Sequence, residues 1–501
     1  MSHLTCILRR LAAAALLIAT GVAAAESTWR DDFDQGQQLP WTSVRGNWIA
    51  SDGTYAAQQP GSSPVTAAFL PYDLSDFSIE VDLIQPVDGG LWLRANADAT
   101  SGVLLVVFAN RMYWHVIADP VTGPWTIHGF AWISPALGSG ANRIRVTGHG
   151  PILRAYVNGA PVATSTLDLT TVTNPPGTDF LRGRVGLYDN AAPGTRFDNL
   201  RLEAGTPVEV VAVGDVGNSS VWFFPVDANG DIAPVAWLSG ANTGLADVRS
   251  IAFDSDHLYV ASGSGQSIRA YPMGKLGDIP PVRTITGPNT TLGGVYGIDL
   301  SGAELYASSS SGPVSVFDAS ATGDVAPLRS IDAMTGAYAI EQDGDELFVA
   351  RHFTDASSVY AFDRNASGAA APLRHLAGTS TGLGCCNLGL AATPTELFVC
   401  QYYDSRILVW PRSADGDSAP VRTLGGSTTG LSLPLDIAVR DNEIFVANSA
   451  PQDVRVFPAN ANGDTAPTRI IGGPATGLHT PFSLAFGIYM IPDEVFANGF
   501  E

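Results

Sequence analysis

The residues best suited to chemistry fall between positions 80 and 132. Glu80-Val81-Asp82-Leu83-Ile84-Gln85 sets two acids two residues apart. On a strand they share a face, as a nucleophile and its helper would against a sugar ring. Retaining hydrolysis also needs an acid/base carboxyl, and Gln85 stands where it would be supplied; an amide cannot move that proton. The run therefore reads as an ordinary strand with solvent-facing acids, and no catalytic residue is assigned. A second constellation is aromatic: Trp92, Arg94, Tyr113, Trp114, His115, Trp125, His128 and Trp132. Alternation puts Trp92 and Arg94 on one face. Rings beside a cation on a concave sheet give the stacking surface and charged donors that sugar recognition uses. Trp92, Arg94, Trp114, Trp125 and His128 are the candidate ligand-binding residues. The competing reading places most of these tryptophans in packing between sheets.

Cysteine and metal chemistry are sparse. Cys6 lies in the leader, leaving Cys385, Cys386 and Cys400, with no metal-type spacing to the 8 histidines. Cys385 and Cys386 precede one short apolar strand and Cys400 ends the next, so the hairpin at Pro394 predicts a bridge from Cys400 to Cys386 or Cys385. Asp227-Ala228-Asn229-Gly230-Asp231 and Asn460-Ala461-Asn462-Gly463-Asp464 present oxygens at alternate positions, as calcium loops do. Tight turns want the same residues, and recurrence of the motif favours the turn. Calcium is the one cofactor these loops suggest.

That recurrence organises the chain. Gly-Asp-x-x-Pro appears at Gly230, Gly277, Gly323, Gly416 and Gly463, with a degenerate copy at Gly368-Ala369, spaced 45 to 48 residues apart. Each unit carries four short strands separated by turns, the period of a propeller blade. The first copy has three strands, near Val208–Val213, Val221–Phe224 and Val235–Leu238; the last ends after one, Phe482–Phe486. Three and one complete a single blade, so residues 206–490 predict a six-bladed β-propeller closed by its C-terminal strand. Arg283, Arg329, Arg374, Arg422 and Arg469 follow the Pro by two residues, and are expected to pair with the turn Asp or to charge the blade edge. Asp299, Glu341 and Asp436 on inner strands are scattered in register and form no evident cluster. No nucleophile elbow is present. The pattern of apolar strand, hairpin, Val-Ala and aromatic strand resembles NHL-type propellers.

Residues 26–205 lack the period. Phe77-Ser78-Ile79-Glu80-Val81, the Asn158-Gly159 hairpin, Gly183-Arg184-Val185-Gly186-Leu187-Tyr188-Asp189 and Phe197-Asp198-Asn199-Leu200 together resemble the concanavalin A-like, laminin-G-like jelly roll. The resemblance implies two antiparallel sheets with a concave face. The whole chain thus reads as all-β, a jelly-roll sandwich followed by a propeller.

Arg9-Arg10, the apolar run Leu11–Val22 and Ala23-Ala24-Ala25 read as a signal peptide over 1–25, and no later run suits a membrane span. A formal charge of −21 opposes nucleic acid and anionic lipid. Residues 491–501, ending Asn498-Gly499-Phe500-Glu501, resemble the terminal segments of exported proteins from Gram-negative bacteria. Secretion or a periplasmic or cell-surface location is expected. The expected function is non-catalytic recognition: the jelly roll binds carbohydrate or a glycoconjugate, and the propeller is an interaction platform for a protein ligand. The alternative is a secreted enzyme, through a glycan-active jelly roll or a lactonase-like propeller.

Overall fold

A computed structural model describes residues 28–491, apart from 62–65, 109, 118–125, 132–136, 138–139, 163–164, 173–179, 193, 255, 274–275, 333–335, 352–356 and 385. In 126–131 and 387–388 the backbone alone is described. The leader, the C-terminal tail, Trp125, Trp132 and Cys385 lie outside the described residues.

The first part is two packed antiparallel sheets. One runs in the order Ala160–Pro161, Ile152–Val157, Ala141–His149, Phe77–Ile84, Arg196–Ala204, Thr54–Ala57, Trp48–Ser51, with Thr28–Asp31 and Leu167–Asp168 paired at its sides. The other runs Thr126–Ala131, Arg111–Ile117, Gly102–Phe108, Gly89–Ala95, Gly183–Asp189, Thr66–Leu74, Thr42–Arg45. Alternation sends Ile79, Val81 and Leu83 from one sheet against Leu91, Leu93, Leu105 and Leu187 from the other, all fully buried. This core is where the two sheets meet.

The second part is six four-stranded antiparallel sheets. Their innermost strands, Val248–Phe253, Val295–Ser301, Ala337–Asp343, Asn387–Ala392, Pro434–Arg440 and Pro481–Ile491, pack side by side, the last against the first. The ring closes through Pro481–Ile491, which pairs with Thr206–Asp215 over its whole length, from Thr206↔Ile491 to Asp215↔Pro481. Apolar clusters fill each space between neighbouring sheets, as where Val211 and Val213 meet Phe445 and Val454.

Polar contacts join the two parts. Glu209 accepts from Arg154 at 2.8 Å and Tyr156 at 2.6 Å of the sandwich, and from Arg440 of the ring at 2.9 Å. Asp256 of the ring pairs with Arg30 at 2.7 Å and Arg201 at 2.9 Å. Only Gly205 separates the strand Arg196–Ala204 from Thr206–Asp215.

Candidate functional site

The sandwich spends Trp92, Arg94 and Trp114 on packing. Trp114 is buried in the inter-sheet core, and its indole N–H donates to the Ser165 carbonyl at 2.9 Å. Trp92 points to the opposite face of its sheet but is only 1 % exposed among Phe69, Leu104, Val106 and Tyr188. Arg94 does not share its face. Residues Leu93 and Arg94 together oppose Val185 in a β-bulge, and Arg94 takes φ +49°. The guanidinium turns inward, 5.8 Å from the Phe77 ring, and donates to the carbonyls of Phe180 at 3.0 Å and Ser75 at 2.9 Å. The expected pairing of Trp92 and Arg94 is thereby corrected: neither presents a stacking surface. His128 stands opposite Trp114 in backbone register, and Trp125 lies outside the described residues.

Glu80 and Asp82 are not solvent-facing. Arg143 grips Asp82 with Nε at 2.8 Å and Nη2 at 3.0 Å and reaches Glu80 at 3.2 Å. Asn199 adds a third bond to Asp82 at 2.9 Å. With Arg145, Arg201 and Glu203 they form a charged layer that meets Asp256 of the ring. The pair of acids therefore serves the junction between the two parts.

Bridge formation by Cys400 is also corrected. Its thiol is free and buried, and burial pushes its pKa up. Cys400 pairs with Gly389, where a Cβ would come within 2.6 Å of Sγ, so the sulfur lies over the glycine. Cys386 sits beyond a bulge with φ +74°, its carbonyl accepting from Tyr402 N–H at 3.1 Å. That offset carries it away from Cys400. Cys386 belongs to a disulfide whose other half lies outside the described residues.

The Gly-Asp turns are inter-sheet latches. Asp278 accepts from Asn242 N–H at 2.7 Å, Asp324 from Asn289 at 2.7 Å, Asp417 from Ser380 at 2.6 Å and Asp464 from Thr428 at 2.6 Å. Each reaches the preceding sheet, and Asp231 closes the circle on Ala475 at 2.7 Å. Of the oxygens considered for calcium, Asn229, Asp231, Asn462 and Asp464 each accept from a backbone N–H. The receiving loop is Gly-x-x-Thr, as in Gly426–Thr429. At Gly426 (φ +133°) a Cβ would lie 2.5 Å from the Asp464 carboxyl carbon, so only glycine admits the latch. That spacing was visible in the sequence as a repeated signal. The arginines after the Pro do not pair with the turn Asp. Arg329, Arg374, Arg422 and Arg469 bind Glu304, Glu346, Glu396 and Glu443 at the start of the second strand. Arg329 and Arg422 also donate to carbonyls of the next sheet, Arg364 at 2.8 Å and Ala459 at 2.9 Å.

The inner strands enclose a cavity of about 320 Å³ along the ring axis. It brings together Asp299, Glu341 and Asp436, which looked scattered in sequence. Their oxygens accept from the free edge of the next inner strand: Asp299 from Gln342 N–H at 2.6 Å, Asp436 from Leu484 N–H at 2.8 Å, Glu341 from Ala392 N–H. Burial pushes Asp299 up to about 6 and Asp436 up to about 7. Burial, then repulsion from Asp299, raises Glu341 well above the usual carboxylate range. At the other end of the wall Arg249 lies between two rings, 5.1 Å from Tyr296 and 4.8 Å from Phe482, and pairs with Asp247 at 2.6 Å. Tyr338 packs on Tyr296 with centroids 4.1 Å apart. Rings beside a half-buried cation at the lip of a polar cavity make the arrangement sought earlier in the sandwich.

No family model matches the chain, and no curated protein does. Among solved structures it is similar to the carbohydrate-binding module CBM66 from Bacillus subtilis, at 18 % identity and TM-score 0.28, covering 33 % of this chain and 96 % of that one. It is similar to a chain of a nidogen/laminin complex, at 12 % identity and TM-score 0.41, over 56 % of this chain and 100 % of that one. The WD40 β-propeller domain of Doa1 matches at 15 % identity and TM-score 0.37, over 53 % of this chain and 79 % of that one. At these scores the likenesses carry no argument about activity.

Proposed function

We propose that the chain is an exported recognition protein, a jelly roll joined to a six-bladed NHL-like propeller, that binds a carbohydrate or glycoconjugate at the axial mouth of the ring. The observation that carries this reading is Arg249 held between Tyr296 and Phe482 at the lip of the cavity, with Tyr338 alongside. A planar cation with aromatic faces supplies donors and stacking to a hydroxyl-rich ligand. Binding is favoured over turnover because Asp299 and Asp436 spend both oxygens on backbone N–H groups. A carboxylate so engaged is poorly placed to move a substrate proton. The sandwich, with Trp92 and Trp114 packed away, orients the ring through Glu209 and Asp256.

Glycan-array binding followed by calorimetry tests the reading. Arg249→Ala and Tyr338→Ala are expected to weaken binding of the folded protein at least about tenfold, the loss of about 1.4 kcal/mol of contact energy. Binding that survives both variants but disappears in Trp125→Ala would return the site to the sandwich. Turnover of glycoside or lactone substrates, abolished by Glu341→Gln, would make the protein an enzyme.

A further inference from the structure

The inner strands of the ring are entered through a repeated turn. Leu245, Leu292, Leu383 and Leu431 each donate their N–H to the hydroxyl of the Thr two residues earlier, at 3.1 to 3.3 Å. The residue just before the inner strand then turns left-handed: Asp247 at φ +54°, Gly294 at +80°, Cys386 at +74° and Leu433 at +55°. Its carbonyl accepts from the N–H of Gly263, Ser310, Tyr402 and Ser449 respectively, at 3.1 to 3.3 Å. These turns stand at the lip of the ring cavity, where Asp247 pairs with Arg249. The turn at Cys386 differs in length. The leucine precedes the left-handed residue by two positions at Asp247, Gly294 and Leu433, but Leu383-Gly384-Cys385-Cys386 is longer by one residue.

Cysteine bookkeeping says what the longer turn is for. The sequence holds Cys6, Cys385, Cys386 and Cys400. Cys386 is disulfide-bonded, and Cys400 is a free thiol. Cys6 lies in the predicted leader, so the partner within the mature chain is Cys385, the residue next to it. A bond between consecutive residues closes a small ring, takes up the added length and holds Cys386 in a conformation that glycine supplies freely at Gly294.

We propose that Cys385 and Cys386 are bonded to each other, and that this two-residue ring is a redox lock on the turn leading into Asn387–Ala392 at the axial mouth. Closing it joins the two sulfurs. Their two protons and two electrons pass to an external disulfide, which leaves as two thiols, and an external dithiol reverses the exchange. Opened, the longer turn loses its tie, and the strand that carries Leu390 and Ala391 along the cavity wall starts from a looser entry. Control of ligand binding by the lock rests on the mouth being the recognition site; the bond and the order of the turn do not.

The full mature chain is denatured in excess iodoacetamide, with and without prior reduction by dithiothreitol, and the tryptic peptide 375–406 is sequenced by mass spectrometry. Label on Cys400 alone before reduction, and on Cys385, Cys386 and Cys400 after it, is the expected result. Label on Cys385 or Cys386 without reductant, or a link to Cys6 or to a second chain, would overturn the proposal. Hydrogen exchange then compares the native oxidised and reduced forms. Reduction should speed exchange over 384–389 and 400–403 and leave the turn at Leu433 as it was; equal rates would overturn the lock. Glycan affinity should fall at least about threefold on reduction, the outcome when the freed turn holds the binding shape a third of the time or less. Altered exchange with unchanged affinity would remove the control of binding. Oxidised protein that binds no glycan would sink the recognition reading instead, and the mass and exchange measurements would still decide the lock. Where dithiothreitol does not reach the buried bond, Cys385→Ser with Cys386→Ser takes the place of the reduced form. Deletion of Cys385 with Cys386→Gly restores the length and the glycine of the Gly294 turn, and should recover slow exchange and affinity with no disulfide present.

Discussion

At the scale of single residues, the same side-chain types do opposite work in the two parts. Trp114 has its ring in the sandwich core and its N–H on Ser165 O. Trp114→Ala is expected to cost about 3–5 kcal/mol of stability, measured by denaturant unfolding, and to leave glycan affinity of the folded fraction unchanged. Arg249 is the contrasting case: it packs between Tyr296 and Phe482 and pairs with Asp247 at the cavity lip, the place the proposed function gives to a ligand. Sequence could not separate these roles. Strict alternation puts Trp92 and Arg94 together, and nothing in Gly90-Leu91-Trp92-Leu93-Arg94-Ala95 announces a bulge, because arginine is not a residue that favours φ +49°. Cys400 shows the same limit: chain order made it a neighbour of Cys386, and strand register made it a neighbour of Gly389.

At the scale of elements, each sheet of the ring is held by contacts to the next. The turn Asp reaches back to a Gly-x-x-Thr loop, while Arg329 and Arg422 reach forward to a carbonyl. Asp464→Ala removes acceptors for Thr428 and Thr429. Its expected result is a lower melting temperature, with faster hydrogen exchange confined to 426–431 and 463–466. The unit with Gly368-Ala369 lacks this Asp. The repeat made the strands legible, since its spacing and its apolar runs are local properties. The partners of its polar residues were not legible, because the latches join residues 35 to 37 apart in different sheets and the closing one, Asp231 on Ala475, joins residues 244 apart.

At the scale of the molecule, two predictions concern the junction and the channel. Glu209 is gripped by Arg154 and Tyr156 from one part and Arg440 from the other. Glu209→Ala is expected to split one calorimetric transition into two and to expose the junction near 204–206 to proteases. The channel acids make stability depend on pH. Asp299 and Asp436 titrate near about 6 and about 7 in the folded chain, against about 4 when unfolded. Raised values mean a contribution complete below about pH 4 and lost as pH rises through 6 and 7. The denaturation midpoint should fall between pH 5 and 8, and Asp436→Asn should shrink that fall. By itself the sequence determined the all-β class, the six repeats and the final strand's return to the first sheet, because period and alternation are written in consecutive residues. The tertiary structure alone decided which face each aromatic takes and which carboxylates meet at the axis. Those outcomes depend on bulges, strand register and the packing of one sheet on another, which bring together residues with no fixed spacing along the chain.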